Sequence, residues 1–209
     1  MPSPDVCCAF FFAALVLGVA PGPDNIFVLT QSALFGAKAG IITTLGLLTG
    51  VCFHTLAVAL GIAALFLASP LAFNILKYCG AAYLCWLAWQ AFRAKASQDD
   101  LSRHSFPGYA ALYRRGVIMN ITNPKVALFF LAFLPQFCDP GIGDVGLQTV
   151  CFGFLFVVAA FLVFAVVALL GGRLAVLFNK SPKSQIFLNR LAGCVFIGLG
   201  LALAFASPR

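Results

Sequence analysis

Leu17–Ser32 reads L-G-V-A-P-G-P-D-N-I-F-V-L-T-Q-S, which sets Pro21, Gly22, Pro23 and Asp24 inside a run otherwise apolar enough to span a bilayer. Ionisable groups at that depth are rare and face a bundle interior or a wet cavity, so Asp24 is a functional-site candidate by default. Pro23 has no N–H and its ring excludes a continuous helix, which leaves the Val19 carbonyl in need of another donor. Such breaks survive in a membrane only where protein buries them or a cavity adjoins them. A break also exposes the free N–H groups and positive dipole end of a new half-helix starting near Pro23, which suits an anion. A structural kink that traps a carboxylate is the plainer alternative.

Composition places the whole chain in lipid. Of its 209 residues 62% are apolar and 9% charged, against roughly 25% charged in soluble domains. Runs near the roughly 20 residues a spanning helix needs occur at Val6–Ser32 (broken), Ile41–Ala68, Leu71–Phe92, Gly116–Phe137, Leu147–Leu170 and Ile186–Ala206. This predicts an all-α integral membrane protein with six transmembrane helices in one membrane domain, 1–209. The start, M-P-S-P-D, has no Lys or Arg ahead of the first run, so that run is expected to stay as a helix and not to act as a signal peptide.

The net charge of +7 is sorted by loop. Lys38, then Arg93, Lys95, Arg103, Arg114 and Arg115, then Arg173, Lys180, Lys183 and Arg190 follow spans one, three and five. The opposite side has only Arg209 outside the apolar runs. The positive-inside rule then puts both termini outside and gives no reason to expect nucleic acid as a partner. Eight cysteines are scattered without a C-x-x-C pair or Cys/His cluster, so no metal or cofactor is expected and the thiols read as apolar filler.

Gly46, Gly50 and His54 share one face of span two. Small residues there admit a neighbouring helix, which turns His54 into protein. It could take up protons or act as a neutral interhelical hydrogen-bonder. Tyr83, Trp86 and Trp89 near Arg93 fit an interfacial belt, and Lys77 can snorkel outward. Ala94–Tyr113, with His104, reads as a polar linker. In span four, N-I-T-N-P-K repeats the logic of span one: Asn123 suits the cap of a half-helix begun by Pro124, which orphans the Asn120 carbonyl. Lys125 lies in its first turn, a poor place for a cation, so it needs an anion, with Asp24 the obvious candidate. Gly193, Gly198 and Gly200 favour close packing of span six.

Pro23-Asp24 and Pro124-Lys125 divide the chain into halves. Val51–His54 faces Val150–Gly153 and Lys77–Leu84 faces Arg190–Ile197 in the same order. Three spans per half require inverted topology, with paired broken helices at the midplane. The predicted repeats are 1–93 and 114–209, joined by a cytoplasmic linker, 94–113.

P-G-P-D-N, the following G-A-K-A-G, and N-I-T-N-P-K-V-A-L-F-F-L-A-F-L-P-Q-F resemble the lysine-exporter (LysE/RhtB) family of bacterial amino-acid efflux proteins, over essentially the whole chain. The resemblance implies a plasma-membrane secondary exporter of amino acids or their derivatives, driven by proton antiport. The residue after P-G-P varies in that family and leaves the substrate open. The candidate substrate-binding residues are Asp24, Asn25, Asn120, Asn123 and Lys125. Asp24 and His54 are candidates for proton coupling, and Pro21, Gly22, Pro23 and Pro124 make the breaks. Asp24 and Lys125 are expected to pair in the empty carrier, and an amino-acid zwitterion to replace that pair. The glycine-faced helices would also suit a homodimer. No nucleophile–base set points to an enzyme. A channel or carrier for another small solute or a cation is the alternative.

Overall fold

The computed structural model describes residues 2–62, 70–94, 105–180 and 182–205. His104 and most of the expected linker lie outside the described residues. The helices are α1 (Pro4–Val19), α2 (Pro23–Phe35), α3 (Ala37–Ala57, continued by a π-turn, Val58–Ile62), α4 (Pro70–Arg93), α5 (Tyr109–Ile121), α6 (Pro124–Leu128, continued by π and 3-10 turns to Phe137), α7 (Val145–Lys180) and α8 (Pro182–Ala204). Pro4, Pro23, Pro70, Pro124 and Pro182 each stand first in a helix, where the missing N–H is one the helix would not use and the fixed φ is already helical. There is no strand among the described residues.

α3 with its extension (Ala37–Gly61) and the first part of α7 (Val145–Gly171) are long and apolar enough to cross a bilayer alone. α1–α2 and α5–α6 bend by 59° and 47° at their prolines, giving up to four spans if each pair crosses once. The protein is thus an all-helical, multi-pass membrane protein. Two boundaries differ from the hydropathy reading. α5 starts at Tyr109, inside the expected linker, because Y-A-A-L-Y-R-R is polar yet a good helix former. α7 runs on to Lys180, about 54 Å by helical rise and longer than a hydrocarbon core.

Small residues set the crossings. A Cβ on Gly46 would strike the Tyr113 carbonyl oxygen, and one on Gly116 would lie 2.6 Å from the Thr43 carbonyl oxygen, so α3 and α5 touch backbone to backbone. Ser32 fills the space left by Gly40 and Gly171 where α2, α3 and α7 meet. α4 packs on α8 through Gly193 against Phe92 and Gly200 against Ala81, whereas Gly198 faces open space and takes no part. Buried hydroxyls do not need outside partners: Ser32, Thr43, Thr44 and Thr55 each donate to the carbonyl four residues back.

An aromatic core seats the second half of the α5–α6 pair. Phe10 of α1 meets Phe129, Phe137 and Phe152, while Phe129 and Phe130 both meet Phe156 of α7. This wedge holds the extension of α6 against the middle of α1. Lys77 is buried, not snorkelled, with Nζ 4.7 Å from the Tyr78 ring centroid. Arg93 covers the Trp89 face at 4.2 Å.

The turn before α7 is clamped by buried Gln148. Its Nε2 donates to the Asp139 and Gly143 carbonyls and its Oε1 accepts from the Asp139 N–H. Gln148→Leu keeps the volume but strands these groups. A loss of about 1–3 kcal/mol is expected, to be read as a lower midpoint in thermal unfolding of the detergent-solubilised protein.

Candidate functional site

The two proline breaks meet. At the first, both prolines remove a donor: Pro21 deprives the Leu17 carbonyl and Pro23 that of Val19. Side chains serve the exposed end of α1. Asn25 Nδ2 donates to the Gly18 carbonyl at 2.7 Å, and Lys125 Nζ donates to the carbonyls of Leu17 at 3.4 Å and Ala20 at 3.2 Å. Gly22, the residue ahead of α2, has extended backbone that any residue could adopt. Its need for hydrogen is steric, since a Cβ there would sit 2.9 Å from Lys125 Nζ.

At the second break Asn123 caps α6, its side chain accepting from the Lys125 N–H at 3.0 Å. The Asn120 carbonyl, which loses its helical donor to Pro124, accepts from the Asn123 N–H at 3.0 Å and from His54 Nε2 at 3.2 Å. A carbonyl only accepts, so His54 carries its proton on Nε2 here. The His54 ring also stacks on Phe130. Gly50, one turn before His54, leaves room for Asn120, whose Cβ would lie 2.6 Å from a Cβ on that glycine.

Asn120 Nδ2 in turn donates to Asp24 Oδ2 at 3.1 Å, which links the breaks. Asp24 lies in the first turn of α2, where the helix dipole favours a negative charge. Asp24 and Asn120 are each 2% exposed, Asn123 3% and Lys125 5%, with Asn25 half-buried. Asp24 Oδ1, Asn25 Oδ1, Asn120 Oδ1 and Asn123 Nδ2 are buried without a hydrogen-bond partner. Unmade hydrogen bonds of this kind cost about 1–3 kcal/mol each, and all four belong to side chains at the two breaks.

Asp24 and Lys125 share this cluster yet form no ion pair within 4.0 Å, contrary to the pairing read from sequence. Two helix ends explain the difference. The carbonyl end of α1 offers Lys125 a negative dipole, and the amide end of α2 holds Asp24. Sequence reasoning counted back from Pro23 alone; counting four residues back from Pro21, already placed in the break, finds the orphaned Leu17 carbonyl that Lys125 takes. An open recess of about 370 Å³ lies elsewhere, among Val6, Ala9, Phe133, Gln136, Phe137 and Ala202, and includes none of the polar cluster. Among the described residues no group of three His, Cys, Asp or Glu side chains is placed to hold a metal.

The chain is similar over nearly its whole length to several bacterial membrane proteins. An uncharacterized membrane protein of Vibrio cholerae is 34% identical over 204 residues, 96% of this chain and 97% of the relative. The homoserine/homoserine lactone efflux protein of Salmonella typhimurium is 34% identical over 198 residues, 95% of each chain. An uncharacterized membrane protein of Pseudomonas aeruginosa is 33% identical over 214 aligned positions, 94% of this chain and 95% of the relative. No solved structure matches. The profile of the LysE type translocators matches residues 15–207. A helical membrane chain with two proline breaks, aligned end to end with an efflux protein and matched by that profile over nearly its full length, belongs to the LysE type translocator family of membrane efflux transporters.

Proposed function

We propose that this transporter exports small amino acids or their derivatives from the cytoplasm, homoserine and its lactone among them, in exchange for protons. It would do so from the bacterial plasma membrane with both termini outside. The substrate class follows the Salmonella relative named for homoserine and homoserine lactone efflux. Within the molecule, one observation carries the reading: four unpartnered polar atoms on four buried or half-buried side chains at two helix breaks, which Asn120 and Asp24 link.

Three of these atoms accept and one donates. A substrate ammonium would take Asp24 Oδ1, Asn25 Oδ1 and Asn120 Oδ1. Its carboxylate or lactone carbonyl would take Asn123 Nδ2 and the third N–H of Lys125, whose other two serve α1. Charge-assisted contacts of this kind contribute about 1.5–3 kcal/mol each. After release, a proton on Asp24 would replace the ammonium and permit the return. His54 would act on Asp24 through Asn120, whose carbonyl it holds.

The frame is six spans in two inverted repeats, 1–93 and 114–209, joined by the linker 94–113. Supporting it, α5 lies on α3 as α1 lies on α7, and α4 lies on α8, the pattern an exchange of halves would produce. Such carriers bind substrate where discontinuous helices face each other and rock one repeat against the other. A homodimer, through the exposed side of α8 that carries Gly198, is part of this proposal.

Counterflow in reconstituted vesicles tests it. Labelled homoserine should exchange against unlabelled homoserine inside, and an acid exterior should speed its loss from loaded vesicles several-fold. Exchange that ignores the pH gradient would refute proton coupling. No exchange of homoserine, its lactone or any amino acid, with flux of a metal ion or neutral solute instead, would replace the amino-acid reading.

A further inference from the structure

The broken end of α1 already holds a cation, and that cation is covalently part of the protein. Lys125 Nζ sits between the Leu17 and Ala20 carbonyls at 3.4 and 3.2 Å, at the negative end of a 16-residue helix. Gly22 leaves the space it occupies, with a Cβ there 2.9 Å from Nζ and 3.4 Å from Cε. The Phe196 ring lies on a further side, its centroid 6.0 Å from Nζ. The pocket is nearly sealed, since Lys125 is 5% exposed, and the neighbouring carboxylate Asp24 does not reach the ammonium. Unwound carbonyls and half-helix C-terminal ends are the groups with which broken-helix carriers coordinate alkali cations.

We propose that the Leu17–Ala20 carbonyl end is an alkali-cation site which Lys125 permanently fills. An ammonium and a monovalent metal ion carry the same charge and seek the same oxygens, so the tethered one excludes the free one. Two consequences follow. The native protein gains nothing from Na⁺ or K⁺, and removing the side chain opens the site to them. The first, applied to transport, rests on the export function proposed above; the second rests on geometry alone.

The experiment is thermal unfolding of the purified full-length chain and its Lys125→Ala and Lys125→Met variants in NaCl, KCl and choline chloride at equal ionic strength. Alanine vacates the site, whereas methionine fills it without charge. The alanine variant should show a saturable rise of roughly 2–6 °C in Na⁺ or K⁺ over choline. The parent and the methionine variant should show none. The proposal fails if the alanine variant responds no more than the methionine variant, or if the parent itself gains a saturable rise. Should the alanine variant not fold, the parent's own behaviour in the three salts decides. Homoserine counterflow by the parent in all-choline medium should match that in Na⁺, and a requirement for Na⁺ would also overturn the inference. Absent counterflow in every medium, with an alkali-specific rise in the alanine variant, would sink the transport reading and leave this site standing.

Discussion

Asp24→Asn should fold almost as well as the parent and export almost nothing. Its carboxamide keeps the shape of the carboxylate, and its oxygen can still accept from Asn120 Nδ2 across the breaks, as Asp24 Oδ2 does. What disappears is the fixed negative charge beside three other unpartnered atoms. Losing one charge-assisted contact of about 1.5–3 kcal/mol lowers substrate affinity roughly 10- to 150-fold. Losing the proton acceptor should also remove the response to a pH gradient. The measurement is homoserine efflux from loaded vesicles with and without an acid exterior, beside a melting curve. A variant that exports at the parental rate and still follows the gradient removes Asp24 from the mechanism.

Gly46→Leu should be the most destabilising single change in the helix crossings, whereas Gly198→Ala should be neutral or better. Both glycines belong to patterns that look alike in sequence. A side chain at Gly46 runs into the Tyr113 carbonyl and the Gly116 backbone, neither of which can turn aside. Overpacking of this kind costs about 1–3 kcal/mol or more, and each kcal/mol is about 2–4 °C of melting temperature in a chain of this size. Forcing α3 from α5 also separates Gly50 and His54 from Asn120, so transport should fall with stability. At Gly198 nothing lies within 4 Å of an added Cβ. Alanine there gains helix propensity of up to about 1 kcal/mol. Equal melting temperatures for the two variants would contradict the packing described here.

The legible parts of the sequence were those governed by backbone chemistry. Proline cannot donate, so Pro23 and Pro124 fixed both breaks, the Asn123 cap and the orphaned Asn120 carbonyl before any coordinates. The face of Gly46, Gly50 and His54 followed from helical period alone. The partner of Lys125 was not legible, because electrostatics at the level of whole residues pairs a lysine with an aspartate. The chain instead offers a helix end, whose partial charges appear only once the direction of α1 is known. Gly198 was misplaced for a related reason: residues two apart on a helix point differently, and only the neighbour's position separates Gly198 from Gly200. The early start of α5 was hidden because hydropathy marks lipid, not helix.

Gly36, with φ +85°, is the single residue between α2 and α3, and nothing lies within 4 Å of where its side chain would be. So short an elbow cannot absorb a swing of α2 without handing much of it to α3, whose far face is locked on α5. The first turn of α2 carries one edge of the polar cluster and the last turn of α5 the other. On the export reading proposed above, a swing at the first break would therefore pass through α3 to the second.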